Sequence, residues 1–109
     1  MSLNQHWYWI EESKEEKLER VITGKDRPDP DDLGYHRKFW SLQHFLSTEN
    51  CAELIITWDH YADLVDWIEK DRVVDDFEDS HYAYLKQEIL PQIKEHLEQG
   101  STVIYCAYW

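Results

Sequence analysis

The chain is short of the residues that build loops, cross-links and phosphate cradles. Its 109 residues include three glycines, three prolines and two cysteines. Gly24, Gly34 and Gly100 are too few and too scattered for a Gly-rich phosphate loop, and each suits a cap or a turn. Cys51 and Cys106 are far apart and form no CxxC, so a reduced, buried pair in a cytoplasmic protein is expected. No run approaches the ~20 apolar residues of a membrane span. Residues 1–17 hold no basic region followed by an apolar stretch, which argues against a secretory signal. Base is scarce as well: eleven Lys and Arg stand against 23 Asp and Glu, for a formal net charge of −12. Such a chain is repelled by bare nucleic acid and by anionic membranes, so neither is expected as a direct partner.

Aromatics are abundant, with six Trp, seven Tyr and three Phe. Disordered acidic tails are poor in such residues because they have nothing to bury. Residues 1–109 therefore read as a single acidic globular domain, long enough to bury one core without disulfides or metal.

Residues 6–10 (HWYWI) have strand character. Ser13 and Glu16 form a capping-box pattern opening a helix through Leu18, Val21 and Ile22, which Gly24 stops. Residues 25–34, with Pro28 and Pro30, read as a loop. Tyr35, Phe39, Leu42 and Leu46 recur at helical spacing and predict a helix over 35–47. Residues 53–57 (ELIIT) fit either a short strand or the start of the next helix. Trp58, Tyr61, Ala62, Val65 and Ile68, widened by Leu64, predict a helix over 58–70 capped by Thr57. Ser80 is placed to cap a long helix bearing Tyr82, Leu85, Ile89, Ile93 and Leu97, which Pro91 kinks or restarts and Gly100 ends. Residues 102–109 (TVIYCAYW) predict a last strand beside the first. The expected class is α+β: a small sheet of short strands with about four helices packed on it.

The charge is unevenly placed. At 100° per residue, Asp59, Asp63 and Asp66 fall on one side of the 58–70 helix, with neighbours roughly 5–6 Å apart. Like charges at that spacing cost a few tenths of a kcal/mol per pair, and Lys70 is the only base on this face. Trp67 lies outside the apolar stripe and close to this ridge. It suits either packing against another helix or an exposed aromatic within an acidic contact surface. Asp71, Asp75, Asp76, Glu78 and Asp79 extend the charge past the helix, with Arg72 among them. Glu11, Glu12, Glu15, Glu16 and Glu19 are partly matched by Lys14, Lys17 and Arg20 and read as a solvated face.

This combination of size, charge and acidic runs (Asp59/Asp63/Asp66 and residues 75–79) resembles the small acidic bacterial DNA-mimic proteins, including the kind that targets the histone-like protein HU. The resemblance implies a non-enzymatic inhibitor or modulator that occupies the basic, nucleic-acid-binding surface of a partner protein. Duplex DNA carries one charge per ~3.4 Å on each strand, and a carboxylate every helical turn is a sparser version of that row. Immunity or antitoxin-type inhibitors of toxin nucleases share the same broad character and are the alternative.

A small enzyme with a carboxylate or histidine site is the remaining class. Six histidines (His6, His36, His44, His60, His81, His96) invite a metal search, and His36 and His44 would share a side of the 35–47 helix. There is no HExxH and no GxSxG, and neither cysteine sits in an activating context. The run His36-Arg37-Lys38 before Phe39-Trp40 reads as one basic turn of that helix, pairing with nearby carboxylates. The expectation is no catalytic residue, no metal and no cofactor, with partner contacts at Asp59, Asp63, Asp66, Trp67, Asp71, Asp75, Asp76, Glu78 and Asp79.

Overall fold

The computed structural model describes residues 2–12, 14–24, 26, 29–70 and 78–109. Four strands form one antiparallel sheet: β1 (Asn4–Ile10), β2 (Asp31–Arg37), β3 (Glu53–Ile56) and β4 (Thr102–Tyr108), in the order β2-β1-β4-β3. Among the described residues, five helices punctuate them: α1 (Lys14–Thr23), α2 (Trp40–Leu46), α3 (Trp58–Lys70), α4 (Asp79–Tyr84) and α5 (Leu90–Gln99). A π-turn, Leu85–Ile89, joins α4 to α5 in one continuous helical run. The class is α+β, as expected.

Strand alternation sets the core. In β1, Gln5 and Trp7 are buried, and they pair with Ala107 and Tyr105 of β4; β3 adds Ile56 opposite Val103. Onto this face pack Phe39 and Leu42, then Leu64, Trp67 and Ile68, and finally Tyr82, Leu85, Ile89 and Ile93. At ~25 cal/mol per Å² of apolar surface, each fully enclosed Leu, Ile or Phe contributes about 1.5–3 kcal/mol. A polar chain crosses this core. Gln5 Nε2 donates to the Phe39 carbonyl (2.9 Å) and to Tyr105 Oη (3.0 Å), while Gln5 Oε1 accepts the Phe39 N–H (2.8 Å). Tyr105 Oη donates to Gln43 Oε1 (2.8 Å), whose amide donates to the Thr48 carbonyl (2.8 Å). Burial drives the Tyr105 phenol well above its ordinary value, although its hydrogen bond with Gln5 opposes this.

The expected helix over 35–47 divides in two. Residues 31–37 are strand, with Leu33, Gly34 and His36 buried, and the helix starts only at Trp40. Lys38 takes a left-handed conformation (φ 62°), which ends the strand and turns the chain. Gln5 then holds the next residue, Phe39, by both backbone groups. The basic run His36-Arg37-Lys38 is thus a strand end and a turn. Gly34 lies under the π-turn: a Cβ there would meet Ile89 Cδ1 at 2.8 Å. Of residues 53–57, open in sequence, 53–56 resolve as strand because β4 offers Ile104 and Val103 opposite Ile55 and Ile56, and Thr57 becomes the cap of the next helix.

The run before the last strand starts at Asp79, with Glu78 as N-cap, so Ser80 is helical and not the cap. Pro91 lies inside the continuous run, at the start of α5 directly after the π-turn, so its missing N–H falls where the hydrogen-bond register already changes. The π-turn ahead of it gives the Leu90 N–H the Leu85 carbonyl as partner. Gly100 closes α5 in the left-handed region (φ 82°).

α1 forms where expected, though its capping residue Ser13 lies outside the described residues. Its apolar side chains Leu18, Val21 and Ile22 face solvent. Near its base, Arg20 donates from Nε and Nη2 to the two carboxylate oxygens of Glu12 (3.0 and 2.9 Å). That carboxylate is buried, and Thr102 Oγ1 also donates to it (3.4 Å). The Arg20 hydrogen bonds hold the Glu12 carboxyl below its usual range, against the opposing effect of burial. The cysteines depart from the buried pair expected: Cys51 is exposed and Cys106 half-buried, and both are free thiols.

Candidate partner-binding surface

α3 begins with a reciprocal cap. The Thr57 N–H donates to His60 Nδ1 (3.0 Å), and the His60 N–H donates to Thr57 Oγ1 (3.4 Å). The imidazole occupies the place that Glu or Gln takes in a capping box. This fixes the phase of the helix against the sheet. Leu64, Trp67 and Ile68 turn inward, and Asp59, Asp63 and Asp66 turn outward, all three exposed. Lys70 Nζ lies 2.8 Å from Asp66 Oδ1, an i,i+4 pair with both side chains largely in solvent. Such a pair contributes about 0.3–0.5 kcal/mol.

Trp67 does not join this surface. It stacks on Phe45 (ring centroids 4.8 Å apart, planes at 10°) and packs against Phe39 and Tyr82, so it belongs to the core. Trp58 is the tryptophan that faces out, 48 % exposed, with its ring edge-on to Tyr61 at 5.7 Å. The two are nine residues apart, which is half a turn out of phase, so only one can be buried. The triplet Leu64, Trp67 and Ile68, spaced three and one, was the sequence signal for the inward face. The stripe drawn through Trp58, Tyr61 and Ala62 was displaced from it.

The displacement leaves an apolar strip along α3 in which Trp58 and Ala62 are exposed and Tyr61 and Val65 are half-buried against the core. Asp66 and Glu69 border it, and together these six side chains line a shallow depression. Beyond Val65 a second groove separates α3 from α5. Tyr61, Val65 and Ile68 face Leu90 and Pro91 across it, with Lys86 and Lys94 on the far bank.

The acids after α3 are distributed differently. Asp71, Asp75 and Asp76 lie outside the described residues. Asp79 is exposed in the first turn of α4. Glu78 is taken up by the fold: its carboxylate accepts the Ser41 N–H (3.2 Å) and the Ser41 hydroxyl (3.0 Å). It thereby satisfies the N-terminus of α2, whose own N-cap residue Phe39 offers no side-chain acceptor. Within the fold, Glu78 thus acts as a tertiary helix cap.

The histidines also have local roles. His36 sits in β2 and His44 in α2, so they share no helix face. His6 lies between Tyr8 and Tyr108 in parallel stacks (5.5 and 5.6 Å), and His96 stacks on Trp9 at 4.0 Å. Burial lowers the His96 imidazole, against the nearby Glu95. His36 and His81 meet edge-on at 5.5 Å beside Phe39. Among the described residues, no three His, Cys, Asp or Glu side chains gather as a metal site, and no helix is long and apolar enough to cross a membrane.

No protein-family model, no curated protein and no solved structure matches the chain.

Proposed function

We propose that the protein is a non-enzymatic, DNA-mimic-like binding protein that covers the basic, nucleic-acid-binding surface of a partner protein and inhibits or modulates it. The observation that carries this reading is the outer surface of α3. There three exposed aspartates run beside an apolar strip with an exposed tryptophan. Carboxylates alone attract any cation. Surface ion pairs contribute only about 0.2–1 kcal/mol each and weaken with salt. An adjoining aromatic anchor adds the desolvated contact from which specific protein interfaces draw most of their affinity. Asp59, Asp63 and Asp66 serve as the phosphate-like row, and Trp58 replaces Trp67 as the aromatic contact.

A cytoplasmic setting and an HU-like protein or a nuclease as partner go with this reading. In the nuclease case the protein is an immunity-type inhibitor working by the same electrostatics. The test is capture of partners from a host lysate by the tagged chain, followed by competition with duplex DNA. A basic protein that DNA displaces, and that Asp59→Asn/Asp63→Asn/Asp66→Asn no longer captures, supports the reading. If DNA displaces nothing that the chain captures, the reading is wrong.

A further inference from the structure

The groove between α3 and the π-turn–α5 run has banks of opposite charge. On the α3 side, Tyr61, Val65 and Ile68 recur at spacings of four and three, a continuous apolar seam, and Glu69 follows them. On the other side, Lys86, Leu90 and Lys94 recur every four residues, a ridge with one apolar residue between two lysines. Tyr61 and Val65 are half-buried and Pro91 is exposed, so the groove keeps apolar surface against water. Glu69, Lys86 and Lys94 are exposed, and none of them forms an ion pair among the described residues. With 23 acids against eleven Lys and Arg, basic side chains are the scarce kind, and two of them stand on this one ridge.

We propose that this groove receives an amphipathic α-helix of the partner protein, lying lengthwise between α3 and α5. Its apolar stripe covers Tyr61, Val65 and Leu90, its acids face Lys86 and Lys94, and its bases face Glu69. The occupant is a helix because both walls are helical ridges, into which a third helix packs at an interaxial distance of about 8–10 Å. An extended segment would find no strand edge here to pair with, since the backbone of both walls is bonded within its own helix. Lys86 and Lys94 are eight residues apart, ~12 Å along the run at 1.5 Å per residue, and acids two turns apart on the occupant span ~11 Å. The occupant carries both signs because the banks differ in sign. A helix basic along both edges would set like charges against Lys86 and Lys94. A second copy of the chain would bring two charges of −12 together, which mutual repulsion disfavours. The inference rests on the reading that the partner is a basic protein, and names the element of it that docks. Glu69 borders both this groove and the depression beside the aspartate row, so the two surfaces adjoin.

The experiment is an NMR titration of the 15N-labelled full chain with three peptides of about sixteen residues, ~24 Å long as helices. All carry a leucine stripe. The first has glutamates along one flank and lysines along the other. The second has lysines on both flanks, and the third is the first with two central prolines that prevent a helix. The first is expected to shift the amides of residues 61–69 and 86–94 and to bind about tenfold more tightly than either of the others. General attraction to a charge of −12 would favour the second, so tighter binding of that peptide overturns the proposal. Equal binding of the proline peptide overturns it as well, as does the absence of any response along both banks. Lys86→Glu/Lys94→Glu should invert the preference between the first two peptides, and an unchanged preference is a refutation. The Asp59→Asn/Asp63→Asn/Asp66→Asn variant should keep the first peptide in the groove while losing the basic partner, so failure of the aspartate row and failure of the groove are distinguishable. Concentration-dependent shifts along the groove without peptide also overturn the proposal, because a second copy would then be the occupant.

Discussion

Acid should unfold this protein partly through one histidine. His36 is 1 % exposed, and among the described residues neither of its ring nitrogens has a hydrogen-bond partner. Trp7, Phe39, Tyr84 and His81 surround it with rings at 5.1–6.4 Å. Burial, reinforced by the His81 charge, pushes its pKa from 6.5 to about 3. His81 itself is lowered by burial, against Glu78 and a hydrogen bond with the Arg37 backbone, which both favour its charged form. Above pH 6.5 His36 is neutral in both the folded and the unfolded chain, and contributes no pH dependence. Between 6.5 and about 3 the unfolded chain binds a proton that the folded one refuses, so stability falls as pH falls. The slope approaches ~1.4 kcal/mol per pH unit below the unfolded pKa, so moving from pH 6.5 to 4.5 removes roughly 2 kcal/mol. A domain of this size has only about 5–15 kcal/mol in all. Urea unfolding followed by tryptophan fluorescence at several pH values measures this loss. Carboxylates titrate in the same range, so the informative quantity is the difference between the parent and His36→Phe or His36→Leu. Both variants should lose ~1.4 kcal/mol per unit less below pH 6. In the parent, the His36 ring proton shift should stay fixed from pH 7 to 5. A ring titrating near 6.5, or parallel stability curves for parent and variants, would refute the argument.

Three further outcomes are expected. Arg20→Met leaves the Glu12 carboxylate buried without its guanidinium, which should cost about 3 kcal/mol in urea unfolding, with Glu12→Gln in the same chain restoring part of it. Because the Glu12 carboxyl is held below its usual range, that pair supports the fold at neutral pH and its contribution fades as pH falls through the lowered value. Trp67→Ala should cost about 3–5 kcal/mol, whereas Trp58→Ala should stay within ~1 kcal/mol of the parent in stability while weakening capture of the basic partner. Gln5→Leu strands the Phe39 N–H in the core and should cost about 1–3 kcal/mol, seen as a lower thermal midpoint with the native near-UV spectrum retained.

Local pattern made several elements legible in the sequence. The strand character of residues 6–10 and 102–109, the Thr57 cap, the span of α3 and the Gly100 stop all follow from alternation, capping and helical spacing, whereas the pairing of the last strand with the first is decided by long-range packing. The same cues misplaced residues 35–47. Tyr35, Phe39, Leu42 and Leu46 satisfy a helix, yet also a strand followed by a shorter helix. The choice between these is made by Gln5, more than thirty residues away, and by the backbone at Lys38. The helix through Leu18, Val21 and Ile22 was legible, but an amphipathic face says nothing about whether a neighbour reaches it, and these three side chains face solvent. On the candidate surface, the aspartate row of α3 was readable because it depends on helix geometry alone. Which tryptophan accompanied it depended on Phe45, Phe39 and Tyr82, contributed by other parts of the chain. The role of Glu78 was hidden for the same reason, since Ser41 is 37 residues away.

The position of β4 between β1 and β3 has a consequence for how the molecule assembles. Of the four strands it is synthesised last, yet both β1 and β3 need it as a neighbour. Until it emerges, β3 has nothing to pair with and Gln5 waits for Tyr105. Closing the sheet joins segments about a hundred residues apart, the kind of distant pairing that slows folding. A nascent chain halted before residue 102 would therefore hold helices and a β1–β2 pair but no finished core, and the sheet would close only once β4 had emerged.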